Sequence, residues 1–508
     1  MKKILFFNFD GTNNEPLDGK QNINSLGMIE DDNITNIVKF HLLLGGNFKS
    51  NPSNIGSNSL SFYYKGIGTY GSKLRKVYNS LLSKEGGDVS NILNRALEDF
   101  KKHYKEEEKE NIIIVLTGFS RGAALARRFA SLINDKVAKN SIIEAVYDTV
   151  ASIGLPNLSK EDRPKSDVVF ENGCTLPSNV KKALHLVSLD DKRKAFQPTL
   201  MNNDGRVEEI WFAGAHSDVG GGYRYDGLSD LCLRFFLDWF ENQEYEIKFK
   251  SSKNIDYKNI LGEELKDIIN IDDVQINPNI FGKNHEQERG VISGLITLTH
   301  RKCCVIKDDK ATDIEPTIYY SVAERIFANK DYKPKSLENL KHKILYSDFK
   351  RKSFKGISEH RQLYKRDYII PTIQGVETFI FAHMKFNHTR IYFEKGKSYK
   401  IEVQNDYKWS DGSIKELDGL GWNRDDISFG LKEIPIYLSE SLRRVPSADW
   451  FTLCGSIDMD EKTYFKIGNS TKYLAKNSGE FCAFANDLDG YYGNNTGKLK
   501  IKITLIQE

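Results

Sequence analysis

Residues 111–130, NIIIVLTGFSRGAALARRFA, change structural type across a single serine, and this constrains the fold more than any other part of the chain. Ile112, Ile113, Ile114, Val115 and Leu116 form a short, continuous, largely β-branched run, which predicts a strand buried on both faces. After Ser120 the pattern turns helical, with Ala123, Ala124, Leu125, Ala126 and Phe129 set among arginines. Between them lies Gly118-Phe119-Ser120-Arg121-Gly122, a G-x-S-x-G nucleophile elbow in the strand-turn-helix setting that the motif requires. The turn is sharp enough that a Cβ two residues either side of the serine would strike neighbouring backbone, hence the glycines. The helix start beneath Ser120 aims free N–H groups at any oxyanion that forms there. A bare G-x-S-x-G arises by chance in roughly one chain of this size in six. The flanking strand and helix are what make it a nucleophile prediction.

The surrounding chain supplies partners. Residues 3–9 read as a first strand running into Asp10-Gly11-Thr12-Asn13-Asn14. A phosphoaspartate enzyme needs an aspartate where Asn8 stands, so the loop reads instead as a strand-end contact at the carboxyl edge of a parallel sheet. There the Gly11–Thr12 backbone or the Thr12 hydroxyl can meet the oxyanion, together with the Arg121 N–H. Gly66-Ile67-Gly68-Thr69-Tyr70-Gly71 is formally G-x-G-x-x-G, but it lacks the compact βαβ context and reads as a loop near the cleft. Residues 90–105 form an amphipathic helix.

Further strands at 142–147, 183–189 and 210–215 deliver Asp148, Asp190 and His216. Strands alternating with helices and ending in reactive side chains predict an α/β-hydrolase-like parallel sheet with helices on both faces, the order Ser, Asp, His being the α/β-hydrolase order. His216 follows a strand and precedes three glycines, which suits a general base free to reach another strand end. Asp148 and Asp190 both end strands between serine and histidine, so both stand as the orienting acid. Asp218 is expected to stabilise its own glycine loop, and His185 to lie in the core.

Composition bounds the rest. A chain of 508 residues holds two or three domains. A net charge of +3 calls for no nucleic-acid partner. The six cysteines are scattered without C-x-x-C pairs, giving neither a zinc signature nor a disulfide framework, as expected of a chain folded in a reducing cytoplasm. The N-terminal run MKKILFF breaks at Asn8 and Asp10, too early for a signal peptide, and no apolar run approaches the 18 or so residues of a membrane span. Action outside the cell would then need a dedicated delivery machine.

Five stations, FFNFDGTNN, YYKGIGT, GFSRGAALAR, YDTVASIG and WFAGAHSDVGGGY, together resemble the catalytic domain of the type VI secretion lipase effectors of the first class, an α/β-hydrolase family. The resemblance covers about residues 1–240. It implies a bacterial phospholipase A, of A1 or A2 type, acting on glycerophospholipids in the membrane of rival cells, with Ser120 as nucleophile and His216 as base. The family's spacing points to Asp148, in D-T-V, over Asp190. It also implies a type VI spike or tube protein as delivery partner, a cognate immunity protein, and passage from the bacterial cytoplasm into the target cell without a signal peptide. Two other functions fit the residues: a carbohydrate or short-chain esterase, and a glycan-binding protein whose hydrolase domain is inert.

Domain expectations follow: a catalytic domain over 1–384, and a β-sandwich over 385–508. Within the first, residues 245–370 are an unrecognised, lysine-rich insertion, a lid or a membrane-docking segment, with 291–298 as a candidate. Lys350, Arg351, Lys352, Lys355, Arg361, Lys365 and Arg366 interleave with Phe349, Phe354 and Tyr364, a solvated face or an anionic-lipid surface. From Thr389 onward, strand alternation between glycine turns predicts an antiparallel sandwich. Its motifs WSDG, KIGNS and NDLDGYYGNNTG resemble the calcium-dependent galactose-binding bacterial lectins. Asp487, Asn494 and Asn495 offer hard oxygens, and backbone carbonyls near Asp411 and Tyr491 could complete a calcium shell that takes sugar hydroxyls. An asparagine-glycine turn without metal is the other reading. No counterpart of the lectins' histidine-containing sugar loop occurs between 421 and 448, so galactose-type glycans are expected only as a class.

Overall fold

Alternating apolar residues along parallel strands build a sheet with a core on each face. The computed structural model describes residues 2–12, 34–56, 58–67, 88–150, 176–223, 227–243, 245, 247–261, 268–280, 282–285, 298–329, 331–346, 349–357, 368–382, 384–427, 437, 439–488, 492 and 495–507. It divides into two compact units, one running to Lys365 and the other from Arg366 to Glu508.

In the first unit, β1 (Lys3–Phe9), β2 (Ser53–Asn54), β3 (Leu60–Tyr64), β4 (Ile112–Phe119), β5 (Ile142–Tyr147), β6 (Val180–Ser188) and β7 (Val207–Phe212) precede a small hairpin, β8 (Val305–Lys307) and β9 (Lys310–Thr312). Then come β10 (Thr317–Tyr319), β11 (His342–Leu345) and β12 (Arg351–Phe354). The ten-stranded sheet runs β12-β11-β10-β7-β6-β5-β4-β1-β3-β2, parallel from β11 to β3 with an antiparallel strand at each edge. All eight residues of β4 are buried, as its unbroken apolar run requires. Its successive side chains serve opposite faces. Ile113 and Val115 join Ile4 and Phe6 in one core, beneath α1 (Asn36–Leu43) and the later helix at Leu228–Glu241. Ile112, Ile114 and Leu116 join Leu5, Phe7 and Phe9 in the other, beneath α2 (Asp88–His103) and α3 (Arg121–Ile133). Each fully buried aliphatic side chain contributes about 1.5–3 kcal/mol.

The described part of 245–370 does not form an inserted lid. β10, β11 and β12 lengthen the sheet, because Ile318, Ile344, Leu345 and Phe354 complete the core beside β7. Of the segment proposed as a lid, 291–297 lie outside the described residues, as do Arg361, Tyr364, Lys365 and Arg366 of the basic stretch. Arg351 on β12 pairs with Glu208 at 3.1 Å, a solvated ion pair at the sheet edge.

The second unit begins before residue 385. β13 (Val376–Phe381) pairs antiparallel with the long final strand, so the expected boundary at 384 cuts through the sandwich. β14 (Asn387–Phe393), β15 (Ser398–Gln404), β16 (Trp409–Asp411), β17 (Ile414–Leu417), β18 (Leu453–Ile457), β19 (Phe465–Lys466), β20 (Ser470–Leu474), β21 (Gly479–Ala485) and β22 (Asn495–Ile506) follow. A six-stranded antiparallel sheet has the order β17-β16-β22-β15-β20 with β13 also on β22, and a four-stranded one the order β14-β21-β18-β19. Ile401, Trp409, Ile501 and Ile503 from one sheet meet Ile391, Phe393, Leu453 and Phe481 from the other in a single core.

Candidate active site

The sharp turn after β4 holds Ser120 at φ 58° and ψ −124°, a region costly for any residue with a side chain. Backbone bonds hold it there: Ser120 N donates to Tyr147 O at 3.1 Å, and Val150 N donates to Ser120 O at 3.2 Å. Packing then explains the second glycine of the elbow. A Cβ on Gly122 would lie 2.2 Å from Asp10 O and 2.4 Å from Phe9 O, so α3 can meet the end of β1 only through a glycine.

Asp148 ends β5, the neighbour of β4, and also has positive φ, 38°. His216 opens α4 (His216–Gly220), after the short Ala213-Gly214-Ala215 turn that follows β7. Its Nδ1 lies 2.5 Å from Asp148 Oδ2, and its ring packs on Phe119, the residue before Ser120, at 4.6 Å between centroids. Serine, acid and base thus share the carboxyl edge of the sheet, and all three are buried, at 5%, 0% and 4% exposure. Burial lowers the His216 pKa, with Asp148 pulling it back only in part, so the imidazole is neutral near pH 7. With Nδ1–H donated to Asp148, the Nε2 lone pair is left for a serine proton. Burial alone would raise the Asp148 pKa, but Arg301 and His216 outweigh it and hold the carboxyl well below the usual range.

Asp190 does other work. Its Oδ2 accepts from Gly214 N at 2.8 Å, Tyr332 OH at 2.7 Å and Asn284 Nδ2 at 3.1 Å, which ties together the segments around the base. Asp218 accepts from Ala215 N at 2.7 Å, as expected of a residue stabilising its own loop, and also contacts His285 Nδ1 at 2.6 Å.

Near the proposed oxyanion donors, Arg121 starts α3 and its Nε donates to Thr12 Oγ1 at 2.6 Å. The Gly11 N–H instead donates to Asp10 Oδ1 at 2.7 Å, so Gly11 serves the loop and not an oxyanion. Asp10 also accepts from Thr35 and Tyr63, and burial raises its pKa to about 6. Asn8 is a buried tie between strands, donating to Phe62 O and Ser61 Oγ and accepting from Thr117. Gly68–Gly71 of the glycine-rich motif lie outside the described residues. His185 is buried in β6, accepting from Thr149 N and contacting Glu209.

Sequence reasoning missed the residues behind the acid and base. Arg301 is a fully buried cation on Asp148, and Asp191 accepts from His216 N at 3.2 Å while pairing with Arg193 at 2.6 Å. Asp191, in the Asp190-Asp191-Lys192-Arg193 run, left a trace as a charged cluster. Arg301 left none.

Residues 2–141 and 138–239 match the family described as T6SS, Phospholipase effector Tle1-like, catalytic domain. Residues 2–239 are thus similar to a Tle1-like catalytic domain. Among solved structures, an uncharacterized protein from Pseudomonas aeruginosa is similar at 18% identity over 46% of this chain and 45% of that one, with a TM-score of 0.30. A Tle1 effector bound to the VgrG spike is similar at 22% identity over 45% and 52%, with a TM-score of 0.28. The EclA N-terminal domain, a PllA-like lectin, is similar at 12% identity over 26% and 98%, with a TM-score of 0.20. The chain thus spans about half the length of the first two structures it resembles. No curated protein matches. The matched residues end before Arg301, so the cationic partner of Asp148 lies beyond them.

In the second unit, Asp411 and Asn495 are directly paired between β16 and β22. Asn495 Nδ2 donates to Asp487 Oδ2 at 3.0 Å. Asn495 Oδ1 is buried with no hydrogen-bond partner among the described residues. Burial, with Asp411 nearby, raises the Asp487 pKa to about 7. These three residues fit a hard cation. Tyr491 and Asn494 lie outside the described residues.

Proposed function

We propose that the protein is a serine-dependent phospholipase of A1 or A2 type, delivered by a type VI secretion machine against the membranes of rival cells. The observation that carries this reading is the serine on its strained elbow, with the Asp148–His216 pair at the same sheet edge. The phospholipase name of the family that residues 2–239 match supports the substrate class.

In this reaction His216 Nε2 takes the Ser120 Oγ proton as the oxygen attacks an acyl ester carbonyl. The Arg121 N–H at the start of α3 and the Thr12 loop face the developing oxyanion. The protonated His216 returns its proton to the leaving lysophospholipid oxygen. Water, deprotonated by the same imidazole, then frees the fatty acid and restores Ser120. Asp148 keeps Nδ1 protonated throughout and offsets the imidazolium charge.

The partners follow from the reading: a spike or tube protein for delivery, an immunity protein in the producing cell, and a glycerophospholipid membrane as target. In the second unit Asp411, Asp487 and Asn495 would hold a calcium ion, whose chemistry there would be to take sugar hydroxyls as ligands; the unpartnered Asn495 oxygen supports this.

Ser120→Ala tests the proposal. Fatty-acid release from phospholipid vesicles is expected to fall at least about 10³-fold with the fold intact. Undiminished release would remove Ser120 from the chemistry. Faster turnover of soluble short esters than of vesicle lipid by the unaltered protein would favour a short-chain esterase instead.

A further inference from the structure

The outer face of the four-stranded sheet carries a cluster that neither the hydrolase nor the calcium reading uses. His388 on β14 lies directly opposite Cys482 on β21, and Glu480 precedes Cys482 by two positions on the same face. The intervening Phe481 points the other way, into the sandwich core. A bulge between His388 and Tyr392, with Arg390 at φ 61°, re-aims this edge strand locally. We propose that His388, Glu480 and Cys482 bind a borderline-soft divalent transition-metal ion, zinc above all.

Geometry carries the argument. Glu480 Oε2 lies 3.5 Å and Cys482 Sγ 3.6 Å from the same His388 Nδ1, and the three ligand atoms fall within 4.8 Å of one another. An N–H···O hydrogen bond runs at about 2.7–3.2 Å, and one ring nitrogen offers a single proton or lone pair for two neighbours. A tetrahedral zinc with bonds of about 2.0–2.1 Å to nitrogen and 2.3 Å to sulfur sets those two atoms about 3.5 Å apart, and nitrogen and oxygen about 3.4 Å apart. Both separations from Nδ1 match those of ligands sharing an ion.

The chemistry agrees. Imidazole, thiolate and carboxylate are a zinc donor set, whereas Asp411, Asp487 and Asn495 offer only the oxygens that suit calcium. The His388 and Glu480 side chains are 5% and 6% exposed and Cys482 is fully buried, so a cation would compensate groups removed from water. An independent observation points to a fourth position. Ser456 on β18 is the direct cross-strand partner of Cys482 on the same face, and its buried Oγ has no hydrogen-bond partner among the described residues. A water on the open zinc position would give that hydroxyl one. Binding exchanges the Cys482 thiol proton for the metal, releases the proton to solvent and changes no oxidation state. A search for C-x-x-C pairs misses this site, because a strand displays E-x-C on one face and takes its histidine from the neighbouring strand.

The test uses the full chain, purified without a histidine tag, dialysed, and assayed for zinc before titration with cobalt(II). About one equivalent of zinc is expected, with a thiolate-to-cobalt charge-transfer band on substitution. Cys482→Ser should lose that band and bind cobalt at least tenfold more weakly, His388→Ala should also weaken binding, and Asp487→Asn should leave both properties unchanged. Should the Cys482 variant fail to fold by circular dichroism, the cobalt spectrum of the unaltered chain decides alone. Absence of retained metal, a cobalt complex without the thiolate band, or equal zinc in a folded Cys482→Ser variant would each overturn the proposal.

Discussion

Arg301 donates from Nη1 to Asp148 Oδ1 at 2.6 Å and from Nη2 to Asp148 Oδ2 at 2.9 Å, and the second of these oxygens also faces His216 Nδ1 at 2.5 Å. One carboxylate is therefore shared between a permanent cation and the proposed base. Arg301 is itself held by Ser188 O and Phe196 O, so the fork is fixed on both sides. The cation keeps the acid ionised inside a dry site. Burial, with a smaller contribution from the Arg193 cation, keeps the His216 pKa below its usual value even though Asp148 opposes the shift.

Removing that cation should move the pH profile in a defined direction. In Arg301→Gln the carboxyl loses its main lowering partner, so the Asp148 pKa rises. The carboxylate also belongs wholly to His216, so the imidazole pKa rises. The rise at His216 shifts the acid limb of kcat/KM to higher pH, by about one unit or more. Arg301→Lys, which keeps the charge but not the fork, should shift less. A uniform loss of kcat/KM with no movement of the limb would assign Arg301 a structural role only.

The two aspartates considered from the sequence should separate cleanly. Asp148→Asn presents an amide where Nδ1–H needs an acceptor, so kcat should fall on the order of 10³- to 10⁴-fold with the fold retained. Asp190→Asn breaks bonds to Gly214, Tyr332 and Asn284 and should cost about 1–3 kcal/mol in thermal unfolding, with a smaller effect on kcat. A larger kcat loss at position 190 than at 148 would reverse the assignment of the acid.

Gly122→Ala probes the elbow sterically. Its Cβ would meet two backbone oxygens of the β1 end, at 2.2 and 2.4 Å, and no side-chain rotation relieves a backbone clash. The variant should be destabilised by at least about 1–3 kcal/mol and lose ester hydrolysis. Wild-type melting and turnover would mean that α3 sits further from β1 than the 2.2 and 2.4 Å approaches require.

The stations on the sheet were legible because each couples a local pattern to a strand end. The apolar run 112–116, the glycines around Ser120 and the loop after His216 all record backbone constraints in residue type. Arg301 was not legible, since a buried arginine is distinguished from a surface one only by a partner 153 positions away. Residues 317–354 were misjudged for a related reason. β10, β11 and β12 are three or four residues each, too short to show a period, and they are strands because β7 leaves an edge to pair with. The Gly11 N–H was assigned to the oxyanion because the Asp10 carboxylate that captures it has no signature in D-G-T itself.

Calcium should stabilise the second unit in a pH-dependent way. Burial, with Asp411 beside it, raises the Asp487 pKa to about 7, above the value near 3.9 expected in the unfolded chain. The folded state therefore holds a proton that the unfolded state has released. The stabilisation is complete below about pH 4, declines as pH rises, and is lost above about pH 7. A divalent cation that replaces the proton reverses this trend, so calcium should raise Tm more at pH 8 than at pH 5.5, and magnesium, which dehydrates reluctantly, should raise it less. Asp487→Asn removes both the titrating group and a ligand, and most of the calcium shift should vanish with it. Differential scanning calorimetry of both chains with calcium or chelator measures this, and an equal calcium shift in the variant would place the ion elsewhere.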